Sequence, residues 1–404
     1  MDINKKKYKK HSKKSSKKYS KKHSKKLSKK YSKKYSKKLS KKHSKKHSKK
    51  LSRLENSDIN DINDMNINYG VDYNLARQHK NDIISKIKYP FLKYSTSPEK
   101  IKQRFINLIN FKPQIIHEPY KLSYMKFEEN ELKYLGEYTL MIDDRNEYDT
   151  IELISDYFNE QCRIDCKFFT ARGTPHEYFI NNFDDIISHL EKNNQEINII
   201  NMRDAIWQIG NKACSTFKPK LIKYFIELYG AKRILDISSG WGDRLIGAMA
   251  SNIECYHGFD PNPCLHIGYK NMIKFFSDVV VNPKAEFIIK ELKFENAQLE
   301  NNYYDLVMTS PPYFIMEIYV KNTLRQSERS WYENYLKVWI NKTHNALKVG
   351  GILALNIYQL KRESYIYWLL DDMKKDNKWE YLGMISHSKI NKKNPQPTFI
   401  WKKI

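Results

Sequence analysis

Acids are almost missing from the first 54 residues, which hold Asp2 alone against 25 lysines and Arg53. A row of like charge repels itself and buries almost nothing, so a packed core is excluded there and disorder is the expectation. The imbalance stops abruptly. The other 350 residues carry 46 basic and 45 acidic side chains, so the formal net charge of +26 belongs to one tail. Cysteine is scarce as well: Cys162, Cys166, Cys214, Cys255 and Cys264 are the only five. No second pair faces Cys162 and Cys166, so no zinc or disulfide framework is expected, no metal site is assigned, and free thiols in a reducing, intracellular compartment follow. No apolar run reaches the roughly 18 residues that a membrane span needs. The N-terminus has no apolar h-region, which argues against a secretory signal.

What the tail does contain is regular. Residues 11–50 are ten tetrads X-Ser-Lys-Lys, with X drawn from His, Ser, Tyr and Leu. Three readings stay open: a solvated low-complexity tail, a non-specific nucleic-acid tether acting through counterion release, and a localisation signal. Phosphate on the serines would cancel the charge. Residues 55–88, rich in Asn, Asp and Ile, read as a linker with one short helix around Asp82–Ile87. Residues 89–205 read as a mixed α+β accessory region, a candidate for target recognition. It has strands at Tyr138–Ile142 and Arg163–Phe169 and helices at Thr150–Tyr157 and Phe183–Leu190. The cluster Lys167, Phe168, Phe169, Arg172, His176, Tyr178 fits either a nucleic-acid contact or a half-buried strand and its turn.

From residue 206 to the end, strands and helices alternate, which argues a parallel sheet with helices on both faces. Helices are expected at Pro219–Tyr229, stopped by Gly230, and at Asp243–Ala250, Leu265–Phe276, Glu328–Leu347 and Tyr365–Lys374. Gly350-Gly351 is read as the close of the long Glu328 helix. Strands are expected at Arg233–Ile237, Cys255–Asp260, Glu286–Ile289, Tyr304–Thr309 and Ile352–Tyr358. A terminal antiparallel hairpin follows, about Tyr381–Ser386 and Thr398–Lys402.

Two strand ends carry unusual punctuation. The first strand runs into Asp236-Ile-Ser-Ser-Gly240-Trp-Gly242. Glycines there let the chain turn sharply and let a ligand approach the backbone. A nicotinamide or flavin motif needs a third glycine, where Leu245 stands, and a P-loop needs a Gly-Lys-Ser/Thr that is missing. An acid before two glycines suits a ligand with an ammonium and a ribose. Asp260, closing the next strand, is placed to accept ribose hydroxyls. The fourth strand ends in Thr309-Ser-Pro-Pro-Tyr-Phe314. Consecutive prolines continue neither sheet nor helix, so this is a rigid open turn. It can present Ser310, the Pro311 carbonyl, Pro312 and the Tyr313 ring to a flat substrate.

On these residues, 206–404 resembles the class I S-adenosylmethionine-dependent methyltransferases. Within them it resembles the DNA amino-methyltransferases marked by Asp/Asn/Ser-Pro-Pro-Tyr/Phe. Ser239-Gly-Trp-Gly-Asp-Arg-Leu-Ile-Gly247 and the run from Thr309 through Glu317 to Tyr319 are similar to DNA-methylase-like proteins of phages and large DNA viruses. The resemblance implies an α/β fold: a doubly wound, mostly parallel seven-stranded Rossmann-like methyltransferase sheet with an antiparallel C-terminal strand. It implies S-adenosyl-L-methionine as cofactor, with Asp236, Gly240 and Gly242 at its methionine end and Ser238 and Trp241 as further cofactor contacts. Asp260 falls at the ribose and Phe217, in Cys214-Ser-Thr-Phe-Lys-Pro219, beside the cofactor. Ser310, Pro311, Pro312 and Tyr313 become the candidate catalytic set, with Phe314, Arg325 and Gln326 as substrate contacts. The implied reaction methylates an exocyclic amine, cytosine N4 or adenine N6, in DNA more than RNA. RNA base methylation and a non-catalytic nucleic-acid-binding or virion protein on the same fold are the alternatives. A viral source would place the chain in host cytoplasm or nucleus.

Overall fold

The computed structural model describes residues 67, 69–116, 137–141, 150–168, 170–171, 173–209, 213–312, 314, 317–319, 327–358, 364–388 and 396–404. Residues 67–404 make one compact unit. The basic tail, Tyr313, Arg325 and Gln326 lie outside the described residues.

Helices dominate the first part of that unit. They are α1 (Tyr73–Gln78), α2 (Lys80–Ile87), α3 (Pro98–Asn110), α4 (Ile154–Ile164), α5 (Pro175–Asn181), α6 (Phe183–Lys192) and α7 (Ile199–Gln208). Three short strands accompany them: β1 (Gln114–Ile116), β2 (Glu137–Met141) and β3 (Lys167–Phe168). Helix starts follow their side chains. Thr174 and Glu177 form a capping box on α5, and Ser97 caps α3 ahead of Pro98. One expectation is overturned here. The strand expected over Arg163–Phe169 starts too early: α4 continues to Ile164, and among the described residues of that run only Lys167–Phe168 is extended, while Phe169 and Arg172 lie outside the described residues.

Alternating elements follow, from α8 (Pro219–Tyr229) and β4 (Arg233–Asp236) through α9 (Asp243–Met249), β5 (Cys255–Phe259), α10 (Leu265–Phe275), β6 (Glu286–Lys290) and β7 (Tyr304–Thr309). After the two-residue β8 (Glu317–Ile318), α11 runs from Glu328–Trp331 through a π-helical stretch, Tyr332–Leu336, into Lys337–Ala346. Then come β9 (Leu347–Asn356), α12 (Tyr365–Lys375), β10 (Trp379–Ser388) and β11 (Gln396–Lys403). Gly230 stops α8 in the left-handed conformation, φ +58°, as its position suggested. Gly350-Gly351 does not close a helix. Both lie inside β9, where the register jumps from Tyr304↔Leu347 to Leu306↔Ile352. Gly350, at φ +79°, accommodates that irregularity.

Seven strands stand in the order β6-β5-β4-β7-β9-β11-β10. β4, β5, β6, β7 and β9 are mutually parallel, and β11 runs antiparallel to both neighbours. This is the expected Rossmann-like methyltransferase layout with its antiparallel C-terminal strand. The sheet is wider than expected, because β1 and β2 extend it beyond β10 to nine strands. Both faces are covered, and the strand sequences show why. Ile234, Leu306, Met308, Ile352 and Ala354 bury into one core with Leu221, Phe225, Leu245 and Ile246. Their neighbours Leu235, Val307, Leu353 and Leu355 bury into another with Trp331, Tyr332, Leu336 and Tyr365. Near-continuous apolar strands are what a sheet buried on both sides requires.

The chain leaves β4 towards β5 and β6, then returns to place β7 on the other side of β4. That reversal makes the carboxyl ends of β4 and β7 a topological switch point, the usual ligand position in open α/β sheets.

Candidate active site

Asp236 closes β4 and is fully buried. Its Oδ1 accepts from the Ser238 amide at 3.2 Å and the Thr309 hydroxyl at 3.3 Å. Its Oδ2 accepts from Arg244 Nε at 2.8 Å and the Tyr256 hydroxyl at 2.6 Å. Burial, and then the neighbouring carboxylate, push the Tyr256 phenol well above its usual range, so it remains a donor. All four donors come from the protein, and Asp236 offers no open face. This differs from its expected contact with the methionine end: it holds the loop that would make such contacts. Arg244 completes the brace. It donates to the Ser238 carbonyl, and its guanidinium lies over the Phe217 ring, 4.8 Å from the centroid.

The loop itself needs its glycines. Gly240 has φ +57° and Gly242 φ +100°, a region that side chains rarely adopt. A Cβ on Gly242 would also lie 2.8 Å from Met272 Cε. Trp241 is buried, its indole N–H donating to the Ser215 carbonyl at 2.9 Å.

Asp260 stands at the end of β5, 7% exposed. Its Oδ2 accepts from the Gly240 amide and its Oδ1 from the Asn262 amide, both at 2.9 Å. Among the described residues it has no ion-pair partner, and burial pushes its carboxyl up to about 6. Asp260 is therefore a buried carboxyl held by two backbone amides, with His266 alongside, whose oxygens keep lone pairs for a ligand.

The Pro-Pro turn meets the glycine loop directly. The Ser238 hydroxyl lies 2.8 Å from the Thr309 hydroxyl and donates to the Ser310 carbonyl at 3.0 Å. Ser310 and Pro312 are half-exposed and Pro311 is buried. Phe314 packs towards Trp331, with ring centroids 5.9 Å apart. Thus Ser238, Gly240, Trp241, Gly242, Asp260, Phe217, Ser310, Pro311 and Pro312 gather around the ends of three adjacent strands.

Helix α4 supplies groups that the sequence reading did not assign. Ser155 donates to Asp243 Oδ1 at 2.6 Å, and Asn159 Nδ2 donates to the Trp241 carbonyl at 2.9 Å. Cys162 forms a disulfide with Cys264, four residues after Asp260, with Cα atoms 5.9 Å apart. The expectation of free cysteines without a disulfide is corrected by this pair; Cys166, Cys214 and Cys255 are free and buried. Ser155, Asn159 and Cys162 have the i, i+4, i+7 spacing of one helical face. That spacing was visible in the sequence, but nothing in it named the partner. Asp243 also accepts from the Phe217 amide at 3.1 Å, and burial pushes its carboxyl up to about 6.

No protein-family model matches the chain, and no curated protein matches it. Solved structures resemble it in part. The tRNA methyltransferase TrmI from Aquifex aeolicus is 13% identical over 46% of this chain and 70% of its own, with a TM-score of 0.31. An rRNA methylase from Streptococcus thermophilus is 16% identical over 47% of this chain and 99% of its own, at 0.33. A SAM-dependent O-methyltransferase from Thermotoga maritima is 12% identical over 49% and 69%, at 0.32.

Proposed function

We propose that this chain is an S-adenosylmethionine-dependent methyltransferase that modifies an exocyclic amino group of a nucleobase, cytosine N4 or adenine N6, in DNA more than in RNA. The observation that carries the reading is the junction of the glycine loop with the Pro-Pro turn, through Ser238, Thr309 and Ser310, beside the buried Asp260 carboxyl. The donor set fits the cofactor. Asp260 would take the ribose hydroxyls, Gly240 and Gly242 would let the ligand lie against the backbone, and Phe217 would flank it. Asp236 would act one step back, holding Ser238 and Arg244. When bound, S-adenosylmethionine supplies an electrophilic methyl group on a sulfonium.

The protein's part is positioning. The amino nitrogen of a base is a weak nucleophile, because its lone pair is delocalised into the ring. Ser310 and the Pro311 carbonyl would accept its hydrogens and favour the pyramidal nitrogen. Tyr313 would stack on the base, with Phe314, Arg325 and Gln326 as further contacts. Placing donor and acceptor in line is the main source of rate in such a site. A base inside a duplex must be flipped out or single-stranded to reach it. The Ser-Pro-Pro-Tyr run supports DNA as substrate, and the basic tail suits a non-specific tether to phosphate.

The test is incubation of the full chain with methyl-labelled S-adenosylmethionine and mixed DNA, RNA and protein, followed by nucleoside mass spectrometry. N4-methylcytosine or N6-methyladenine in DNA is the expected product. Label in RNA would move the substrate to RNA. Label in protein alone, or in nothing, would overturn the reading.

A further inference from the structure

Ser215 touches two loops at once. Its amide and its hydroxyl both donate to Glu317 Oε1, at 2.7 and 2.6 Å. Its carbonyl accepts from the indole of Trp241 in the glycine loop, at 2.9 Å. The Tyr319 hydroxyl donates to the other oxygen, Glu317 Oε2, and the Tyr319 ring stands 6.0 Å from that of Trp241. Glu317 is 7% exposed, and among the described residues it has no ion pair. Three donors therefore hold a buried carboxylate in one place, and charge-assisted hydrogen bonds of this kind are the strong ones. The carboxylate is fixed from behind as well. Glu317–Ile318 pairs with Lys167–Phe168, and Cys166 Sγ donates to the Tyr319 carbonyl at 3.4 Å.

We infer that Glu317 is a positioning residue. It sets Ser215, and through Ser215 it sets Trp241, so Glu317–Tyr319 and the glycine loop move as one body. Its functional half rests on the proposed methyltransferase reading; the mechanical half does not. The consequence is coupling. Order imposed on Glu317–Tyr319 is transmitted to the glycine loop through one carboxylate, without Glu317 itself having to touch a ligand.

Two variants of the full chain test this. Glu317→Ala removes both acceptor oxygens. Glu317→Gln keeps Oε1 as an acceptor for both Ser215 donors. The first readout needs no cofactor: the indole N–H resonance of Trp241, identified by its loss in Trp241→Phe. Glu317→Ala is expected to shift that resonance and speed its solvent exchange about tenfold, while Glu317→Gln leaves it near its original place. An unmoved resonance in the Ala variant overturns the inference. So does an equal displacement in the Gln variant. The second readout is calorimetric affinity for S-adenosylmethionine, expected to fall about tenfold in the Ala variant and less than about threefold in the Gln variant. General loosening of the fold would lower the melting temperature without separating the two variants in this way. Unchanged affinity in the Ala variant also overturns the inference. A wild-type chain that binds no S-adenosylmethionine sinks the methyltransferase reading, and the indole resonance still decides the coupling.

Discussion

The Ser238 hydroxyl donates to the Ser310 carbonyl across 3.0 Å, joining the ends of two parallel strands that are 72 residues apart in sequence. The same oxygen lies 2.8 Å from the Thr309 hydroxyl. One side chain thus fixes the distance between the loop assigned to the cofactor and the turn assigned to the base. Ser238→Ala should therefore damage function more than stability. Loss of a neutral hydrogen bond costs only about 1 kcal/mol, so the melting temperature should shift by a few degrees. Turnover should fall roughly tenfold or more, because the approach of donor to acceptor is no longer set. Parallel thermal melts and single-turnover methyl transfer check this. Equal losses in both would assign Ser238 a purely structural role.

Asp260 leads to a pH prediction. Burial raises its carboxyl to about 6, above the usual aspartate range. A folded-state value above the unfolded one means that its contribution to stability is present at low pH and is lost as pH rises through about 6. Ribose hydroxyls reverse the preference on binding, because they donate to the ionised carboxylate. Affinity for S-adenosylmethionine should therefore climb between about pH 5 and pH 7. Asp243 titrates in the same window, but its oxygens serve Ser155 and Phe217. Calorimetry on Asp260→Asn separates the two carboxyls. The variant should bind more weakly and lose most of the pH dependence. A slope that survives the substitution would transfer the effect to Asp243.

Much of this was legible along the chain, and the exceptions share a cause. β7 is legible because an apolar run stops at two prolines, and Gly230 marks the end of α8. Helix α4 was missed beyond Tyr157 because its buried side is ionic. Asp156, Glu160 and Arg163 have helical spacing and are all buried. Arg163 grips Asp156 through Nε at 2.8 Å and Nη2 at 2.5 Å, and Arg203 bridges Asp156 and Glu160 at 2.8 and 2.6 Å. A buried ion network inverts the polarity pattern from which helices are read. The ring of contacts around Trp241 was hidden for another reason: its members come from α4, the segment 213–218 and the segment after the Pro-Pro turn, and only folding brings them together.

The same helix yields a packing prediction. A Cβ on Gly268 of α10 would lie 1.8 Å from Asn159 Oδ1. Gly268→Ala should therefore push Asn159 off the Trp241 carbonyl and cost about 1–3 kcal/mol, the range for overpacking a tight contact. Adding Asn159→Gly should recover part of the packing loss but not the lost hydrogen bond. Urea unfolding of the two single variants and the double variant measures the coupling. Simple additivity would mean that the two helices move apart freely, against the close approach described here.

The disulfide fastens α4 to the segment after β5. It closes a span of 102 residues, and in the chain-entropy picture such a link stabilises by about 4–5 kcal/mol. Cys162→Ser with Cys264→Ser should therefore lower the urea midpoint clearly and weaken cofactor binding, since Asp260 lies four residues from Cys264. Adding reductant to the wild type should produce the same shift. If reductant leaves the double variant unchanged while moving the wild type, Cys162 and Cys264 are the pair responsible. If the wild type does not move, the bond contributes no stability under those conditions.

The tail predicts a separation of affinity from turnover. Its 25 lysines can neutralise many phosphates, and each neutralised phosphate adds about −0.9 to the slope of log affinity against log salt on duplex DNA. Removing residues 1–54 leaves a remainder with 46 basic and 45 acidic residues, which has no comparable surplus. DNA affinity at low salt should fall by orders of magnitude, and the salt slope should flatten by several units. Turnover at saturating DNA and S-adenosylmethionine should stay within about twofold, because the strand ends that form the site lie more than 180 residues further on. Binding titrations at several salt concentrations, with initial rates at saturation, test both halves. A truncated chain with unchanged affinity and slope would refute the tether. One with unchanged affinity but lost turnover would place the tail in the reaction itself.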